Sequence, residues 1–423
     1  MNRPEASWMA RRAAVPKVGL IVSSHQAFKE FDAAKGEMVA GPTRDREGDP
    51  MAQPPSRQSL DCPPMRRLHP LRVSLLLLTL ACGPKAPPAP QVALAPAGDS
   101  LLVPFAEATD AAWLGGARWA VLAPGGPEIR LADFERKVLP TLGAGTGDLK
   151  YPLALFLAAD TLHATDWVNR RLTLWSLDGR FGRAVPAFDA LRGALPRARD
   201  EAGNFYLELR PPAGPDGSGN RDSASVVRVT PAGAVDTVAH LAPLDLAKVA
   251  SPSGERFEQR VFSGTDRWGV RPDGTLWLAR VYHNRVDRAP PGGKAAKGRP
   301  LPDRVLEVTR EDRERFVQNF PPELRGTAEQ LPFAPIKAAF TAAFADAEGN
   351  VWLERSRAVS DTVQSYHVVG PDGALRYIAV LGGVRRVIAA SDREALVAAP
   401  VRDGVQLQLA PLAAPAPSSP AAP

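Results

Sequence analysis

DTLHATDWVNRRLTLWSLDGRF, residues 160–181, reads as two short strands around a tight polar turn, followed by a hairpin into a third strand. Thr161-Leu162-His163-Ala164 is one strand and Leu172-Thr173-Leu174-Trp175 the next. Asp178-Gly179 is the hairpin turn, where glycine takes the positive φ that most residues avoid. Together they make one blade-sized unit of antiparallel sheet.

Working outward, similar strands recur at Arg118-Trp119-Ala120-Val121, Asn204-Phe205-Tyr206-Leu207, Thr275-Leu276-Trp277-Leu278, Asn350-Val351-Trp352-Leu353 and Glu394-Ala395-Leu396-Val397. With the strand at Thr161, the gaps between first residues are 43, 43, 71, 75 and 44. Three gaps match the length of a four-stranded blade. The two long ones hold insertions: residues 211–223, with polar positions near 251–256 adding length, in one, and residues 287–303 with the charged run Thr309–Phe316 in the other. Six units, two of them elaborated, predict an all-β, six-bladed β-propeller over residues 100–412.

The turns repeat as well. Asp200-Glu201-Ala202-Gly203-Asn204, Arg271-Pro272-Asp273-Gly274-Thr275 and Asp346-Ala347-Glu348-Gly349-Asn350 each set Asp and Gly before an aromatic-bearing strand. Gly permits φ > 0, and Asp bonds nearby backbone amides. Strands apolar throughout, such as Val351-Trp352-Leu353, fit sheets buried on both faces between blades. Trp113, Trp119, Trp175, Trp268, Trp277 and Trp352 are therefore expected to pack between blades. Residues 321–344 read as an inter-blade connection, with Ile336–Phe344 either two helical turns or an innermost strand. Gln406–Leu409 is expected to close the ring with Leu101–Phe105, which would remove exposed sheet edges.

The segment Asp166-Trp167-Val168-Asn169-Arg170-Arg171-Leu172, followed by Leu177-Asp178-Gly179, resembles the D-x-x-N-x-R-hydrophobic core of an NHL repeat. Asn284-Arg285-Val286 keeps a fragment of it. The wider rhythm is similar to bacterial six-bladed propellers of the NHL/TolB-like kind. The resemblance implies structural roles: Asp166 and Asn169 bond turn backbone, and Arg171 pairs across blades.

Ahead of the repeats the chain changes character. Residues 1–82 hold 12 Lys/Arg against 8 Asp/Glu, which leaves 40 against 38 in residues 83–423. The formal charge of +6 thus resides largely in the leader, and the body makes no electrostatic case for nucleic acid. All five Met lie at or before Met65, and both Cys, Cys62 and Cys82, precede the body, which therefore contains no disulfide. Residues 1–64 lack a sustained period; they read as an extension upstream of a start at Met65, or as disorder. From Met65 the chain runs MRRLHPLRVSLLLLTLAC: a basic stretch, a short apolar run, then Ala81-Cys82. Residues 65–82 resemble the signal of bacterial lipoproteins, with Thr79 departing from the usual Leu three before the cysteine. That resemblance implies acylation of Cys82 and anchoring in the cell envelope. Gly rather than Asp at position 83 implies the outer membrane, with the domain facing the periplasm. Residues 83–99 are Pro/Ala-rich and are expected to be a tether, and residues 413–423 a disordered tail.

No catalytic signature stands out. His163, His240, His283 and His367 fall in different units and form no metal-binding spacing, and there is no G-x-S-x-G elbow. The remaining cluster is Arg267, Arg271, Arg280 and Arg285 with Tyr282 and His283, placed to hold a carboxylate or phosphate at the channel mouth. Against this, the same arginines are suited to pair with turn residues Asp266, Asp273 and Asp287. The expected function is a monomeric, lipid-anchored binding or scaffold module without catalysis or cofactor, engaging an unidentified protein or small molecule. The alternative is a hydrolase resembling six-bladed gluconolactonases, with Ca²⁺ or Zn²⁺ in the central channel, its ligands drawn from Asn169, Asn204, Asn284, Asp266 and Asp346. Quinone-dependent sugar dehydrogenase chemistry lacks its His/Arg/Asp framework here.

Overall fold

The computed structural model describes residues 89–123, 128–142, 148–211, 224–251 and 254–412. Two strands precede the repeats, β1 (Gln91–Leu94) and β2 (Ser100–Val103). Blade one is β3 (Asp110–Trp113), β4 (Arg118–Leu122) and β5 (Ile129–Asp133). Blade two is β6 (Pro152–Ala158), β7 (Thr161–Asp166), β8 (Arg171–Ser176) and β9 (Phe181–Pro186). Blade three is β10 (Pro196–Arg199), β11 (Phe205–Leu209), β12 (Ser225–Val229) and β13 (Val235–His240). A separate hairpin follows, β14 (Leu246–Ser251) and β15 (Gly254–Gln259). Blade four is β16 (Arg267–Val270), β17 (Leu276–Arg280) and β18 (Arg285–Ala289). Helices α1 (Arg310–Gln318) and α2 (Arg325–Glu329) come next. Blade five is β19 (Phe340–Ala345), β20 (Val351–Arg355), β21 (Val363–Val369) and β22 (Leu375–Gly382), and blade six is β23 (Arg386–Ala390), β24 (Glu394–Val401) and β25 (Gly404–Pro411).

These six sheets form a closed ring. The innermost strands β3, β6, β10, β16, β19 and β23 touch in that order, and β23 returns to β3. Closure is made by backbone hydrogen bonds: β2 pairs antiparallel with β25, Ser100 opposite Gln408 and Val103 opposite Val405, so the N-terminal side completes the last blade. The fold is an all-β, six-bladed propeller. Residues 160–181 form β7, β8 and the turns around them, and the recurring strands of the sequence are the second strands of their blades.

The second strands recur visibly because they are the most buried. Trp119, Trp175 and Trp352 are fully enclosed, and Trp277 is buried; Trp113 and Trp268 are half-buried. Five clusters of apolar side chains lie at interfaces between adjacent blades, and a further one packs blade three against the connection from blade two, through Phe188, Leu191 and Ala194. Burial of apolar area between flat, twisted sheets is thus the main stabilising term.

Two regions depart from the expectations. Residues 83–99 are not a tether throughout: β1 lies parallel on β22, Gln91 opposite Ile378 and Leu94 opposite Leu381, with Leu94 buried. Val92 and Leu94 supply the apolar alternation that a Pro/Ala-rich composition conceals. Of residues 336–344, the part from Phe340 onward forms a strand, β19, and no helical turn is present. The charged run at 309–316 is helical, opened by a capping box in which Thr309 Oγ1 accepts from Asp312 N and Asp312 bonds back to Thr309 N. Residues 1–64, the signal-like segment with Cys82, residues 83–88 and the tail 413–423 lie outside the described residues.

Candidate functional site

Every innermost strand runs in the same sense, so the residues at their N-terminal ends share one rim of the channel. Asp110 begins β3, Arg197 is the second residue of β10, Arg267 begins β16 and Arg386 begins β23. These groups sense one another: Arg197 and Arg386 act electrostatically on both Asp110 and Arg267. The second strand of each blade ends on the same rim, which brings in Glu208 from β11 and Glu354 from β20.

The connections that lead into β16 and β19, residues 241–266 and 290–339, reach this rim because each ends at the start of an innermost strand, whereas residues 212–223 of the first expected insertion lie outside the described residues. They also pack together: Val261 N donates to Pro332 O at 2.7 Å, and Ala334 N returns a bond to Val261 O at 3.0 Å. Phe262 packs edge-on against Phe316 and tilted against Phe333, with centroids 5.9 and 6.1 Å away. Lys337 anchors the assembly to Asp312 at 2.6 Å and to the Arg357 carbonyl at 2.7 Å.

On one side of the mouth Glu208 is surrounded by donors. Arg197 Nη1 approaches it at 2.8 Å, Arg210 Nη2 at 2.8 Å and Trp268 Nε1 at 3.1 Å. Burial pushes the Glu208 carboxyl up, but Arg197 and Arg210 override it and hold it down at about 2. Arg267, beside this group, donates from Nη2 to the Thr341 carbonyl at 3.3 Å and, among the described residues, makes no other side-chain hydrogen bond and no ion pair. Burial lowers its pKa, and repulsion from Arg197 adds to that, with Glu208 opposing.

On the other side Arg386 joins two carboxylates, Glu354 at 3.0 Å and Glu107 at 3.6 Å. Burial raises the Glu107 pKa; Arg386 works against it and Glu354 with it. A cleft of about 200 Å³ runs outward from here between blades five and six, over Thr341, Glu354 and Arg386.

Asp110 sits on the channel wall with its Oδ2 accepting from Leu155 N at 3.3 Å. Burial pushes its carboxyl up to about 6, against the backbone bonds from Leu155 and Ala111. A raised folded-state value means that the associated stability is fully present below about 3.8, the unfolded value, and is lost as pH rises through about 6. Ionised Asp110 is therefore a cost at pH 8. Asp110→Asn is expected to stabilise the protein by roughly 1–3 kcal/mol at pH 8 and by little at pH 4. Urea midpoints at the two pH values measure this; equal effects at both would mean that Asp110 ionises freely.

Of the six residues expected at the channel mouth, the structure brings only Arg267 to the channel. Arg280 is held by Asp266 at 2.8 Å and Asp287 at 3.2 Å, and Arg285 by Asp287 at 2.6 Å, which is the turn-pairing alternative. Tyr282 and His283 are exposed in the turn between β17 and β18, outside the innermost layer. Arg271 follows the other end of β16 and lies on the opposite rim, against the turn at Gly349, where a Cβ would meet its Cζ at 3.0 Å. The NHL-like residues form a latch. Asp166 accepts from Lys150 N at 3.2 Å, Tyr151 N at 3.1 Å and Asn169 Nδ2 at 2.7 Å, and Asn169 also bonds the Asp148 carbonyl. Arg171 bonds that same carbonyl at 2.6 Å and approaches Asp166 at 3.6 Å, so these contacts tie down the lead-in to its own blade.

The residues considered as ligands for a divalent cation are dispersed. Asn204 and Asp346 belong to turns on the far rim, while Asn169, Asn284 and Asp266 bond backbone or Arg on the near one. Among the described residues no group of three or more His, Cys, Asp and Glu is placed to hold a metal ion. Glu107 and Glu354, the carboxylate pair at the mouth, have a guanidinium between them and do not fit such an ion.

Asp110, Arg197, Glu208, Glu354 and Arg386 escaped the sequence reading. The available signal was the first residues of the strands that precede each buried second strand, compared blade by blade.

No family model matches the chain, and no curated protein matches it by sequence. Among solved structures it is similar to a streptogramin B lyase, at 10% identity and a TM-score of 0.39, covering 74% of this chain and 96% of that one. It is similar to the calcium-binding protein regucalcin from Agrobacterium tumefaciens, at 12% identity and a TM-score of 0.40, covering 76% and 96%. A gluconolactonase from Xanthomonas campestris is similar at 14% identity and a TM-score of 0.40, covering 77% and 95%. At such scores these likenesses carry no argument about chemistry; the blade count rests on the sheets themselves.

Proposed function

We propose that the protein is a non-catalytic binding module, lipid-anchored in the cell envelope through Cys82, whose channel mouth takes a small organic anion. The observation that carries the binding reading is Arg267: a half-buried guanidinium at the mouth with one carbonyl bond and, among the described residues, no ion pair, while neighbouring Arg197 and Arg386 are engaged by Glu208 and Glu354. An anion would complete its coordination in a site partly shielded from water, where charge-assisted bonds are strongest. The anchor rests on the basic stretch, the apolar run and Ala81-Cys82 of the sequence.

The test is thermal unfolding of the full-length protein in detergent, titrated with succinate against sodium chloride of equal ionic strength. Succinate is expected to raise the Tm by a few degrees through preferential binding to the folded state. Arg267→Ala should abolish the rise. An equal rise with chloride would reduce the effect to charge screening and sink the reading. An intact mass matching an acylated chain from Cys82 onward tests the anchor, and an unlipidated chain beginning at Met1 would remove it. Stoichiometric Ca²⁺ or Zn²⁺ by elemental analysis would favour the hydrolase instead.

A further inference from the structure

At the mouth most carboxylates and guanidiniums neutralise one another, and one of each is left over. Glu208 is taken by Arg197 and Arg210, and Glu354 and Glu107 by Arg386. Asp110 has only backbone partners: its Oδ2 accepts from Leu155 N at 3.3 Å, and among the described residues it forms no ion pair. Arg267 is its counterpart, with the Thr341 carbonyl at 3.3 Å and, among the described residues, no ion pair. Each leans on the innermost strand of the next blade, Asp110 on β6 and Arg267 on β19. They form no pair with each other, because β3 and β16 stand three blades apart in either direction round the ring, on opposite sides of the channel. Both are half-buried, and Arg197 from blade three and Arg386 from blade six act electrostatically on each of them, so the four groups share one space. What the committed pairs leave is a lone acid and a lone base on opposite walls of one opening.

We infer that the mouth binds an ω-amino carboxylate, a short chain with its carboxylate on Arg267 and its ammonium on Asp110. This rests on the anion-binding reading of the mouth and extends it by naming the class of ligand. Such a ligand neutralises both leftover charges at once, with a charge-assisted bond at each end. A plain carboxylate leaves Asp110 uncompensated and adds a second negative charge to the opening. Burial pushes the Asp110 carboxyl up, so its ionised form gains from a cation brought within bonding distance. An α-amino acid carries both groups on one carbon and cannot serve opposite walls together.

Isothermal titration of the full-length protein in detergent at pH 8 compares 4-aminobutyrate, 6-aminohexanoate and 8-aminooctanoate with the plain carboxylates of the same lengths. A further control is 2-aminohexanoate, in which the ammonium sits beside the carboxylate. At least one of the three ω-amino carboxylates is expected to bind at least about tenfold more tightly than its plain counterpart, and 2-aminohexanoate no more tightly than hexanoate. Asp110→Asn should bring the best ligand down to the affinity of its plain counterpart. Because that variant is expected to be the more stable protein at pH 8, the loss is not one of folding. Arg267→Ala should weaken both. Equal affinities for ω-amino and plain carboxylates at every length would overturn the inference, as would 2-aminohexanoate binding as tightly as its ω isomer, or an Asp110→Asn variant without effect. If succinate still stabilises the protein in an Arg267-dependent way, such a failure leaves the mouth as an anion site. If no anion binds at all, both readings fall together.

Discussion

Asp346→Ala is expected to destabilise the propeller by about 2–4 kcal/mol, the largest single-residue loss foreseen outside the apolar core. Asp346 is buried in the turn between β19 and β20 and serves three donors at once. Asn350 N donates to Oδ1 at 2.8 Å, Asn350 Nδ2 to Oδ2 at 2.9 Å, and the fully buried Trp352 Nε1 to Oδ2 at 3.0 Å. Alanine leaves the indole N–H and the Asn350 amide N–H without those acceptors in a dry environment, which is costlier than the net gain of any one bond. Relief of a buried carboxylate offsets part of the loss, since burial raises the Asp346 pKa despite these bonds.

Blade three repeats the device almost atom for atom. Asn204 N and Nδ2 donate to Asp200 at 2.8 and 2.7 Å, and Tyr206 Oη donates to it at 3.0 Å. In both turns the glycine before the asparagine has positive φ, +84° at Gly203 and +78° at Gly349, where a side chain would be strained. Blade four keeps only a reduced version, with Thr275 N bonded to Asp273 at 2.8 Å on the surface. Asp273→Ala should therefore cost less than about 1 kcal/mol. Denaturant midpoints of the two variants check the contrast, and equal losses would refute the role assigned to the buried indole. The turn also matters for the site across the sheet, because it sets the β19–β20 pairing that places Glu354 opposite Ala342 beside the cleft.

The second large effect is acid lability between about pH 6.5 and 4. His163 is fully buried in β7, stacked on Phe156 at 4.8 Å with Nδ1 against the Thr161 carbonyl at 2.9 Å. His367 is buried in β21. Burial lowers both to about 4, with Arg355 adding to the effect at His367. A depressed histidine is neutral in the folded state while the unfolded chain takes up a proton. Its contribution is therefore fully present above 6.5, the unfolded value, and is lost as pH falls through about 4. Each histidine accounts for roughly 3 kcal/mol over that window, and the slope approaches about 2.7 kcal/mol per pH unit where both titrate. Asp110 works in the opposite direction below about 6 and reduces the net slope. Urea midpoints across pH 4–7 should fall steeply for the native protein and more gently for the His163→Gln, His367→Gln double variant. Parallel curves would assign the acid loss to other groups.

Much of this fold is visible in the chain because its strongest local signals coincide with its most buried strands. A second strand in each blade meets neighbours on both faces, so Trp119, Trp277 and Trp352 appear in short apolar runs, the latter two behind turns that contain Asp and Gly. Such runs and turns are local, and six of them, three of the five gaps being 43 or 44 residues, are enough to count the blades and to foresee that β2 closes the last one. β1 escaped because a four-residue strand on a sheet edge needs little periodicity of its own: its partner β22, some 290 residues later, supplies the register.

The site obeys a different logic. Asp110, Arg197, Arg267 and Arg386 are separated by dozens of residues, stand in unrelated local sequences and become neighbours only when the innermost strands close into a ring. The arginines that cluster in sequence, Arg280 and Arg285, are instead neutralised by Asp266 and Asp287 because turns bring local charges together first. From the sequence alone came the strands, the turns, their number and the closing pair, all set by local periodicity and backbone preference. Tertiary structure alone decided which charges share the mouth and which rim carries the connections into β16 and β19, because charge acts through distances in space and only the closed ring defines those.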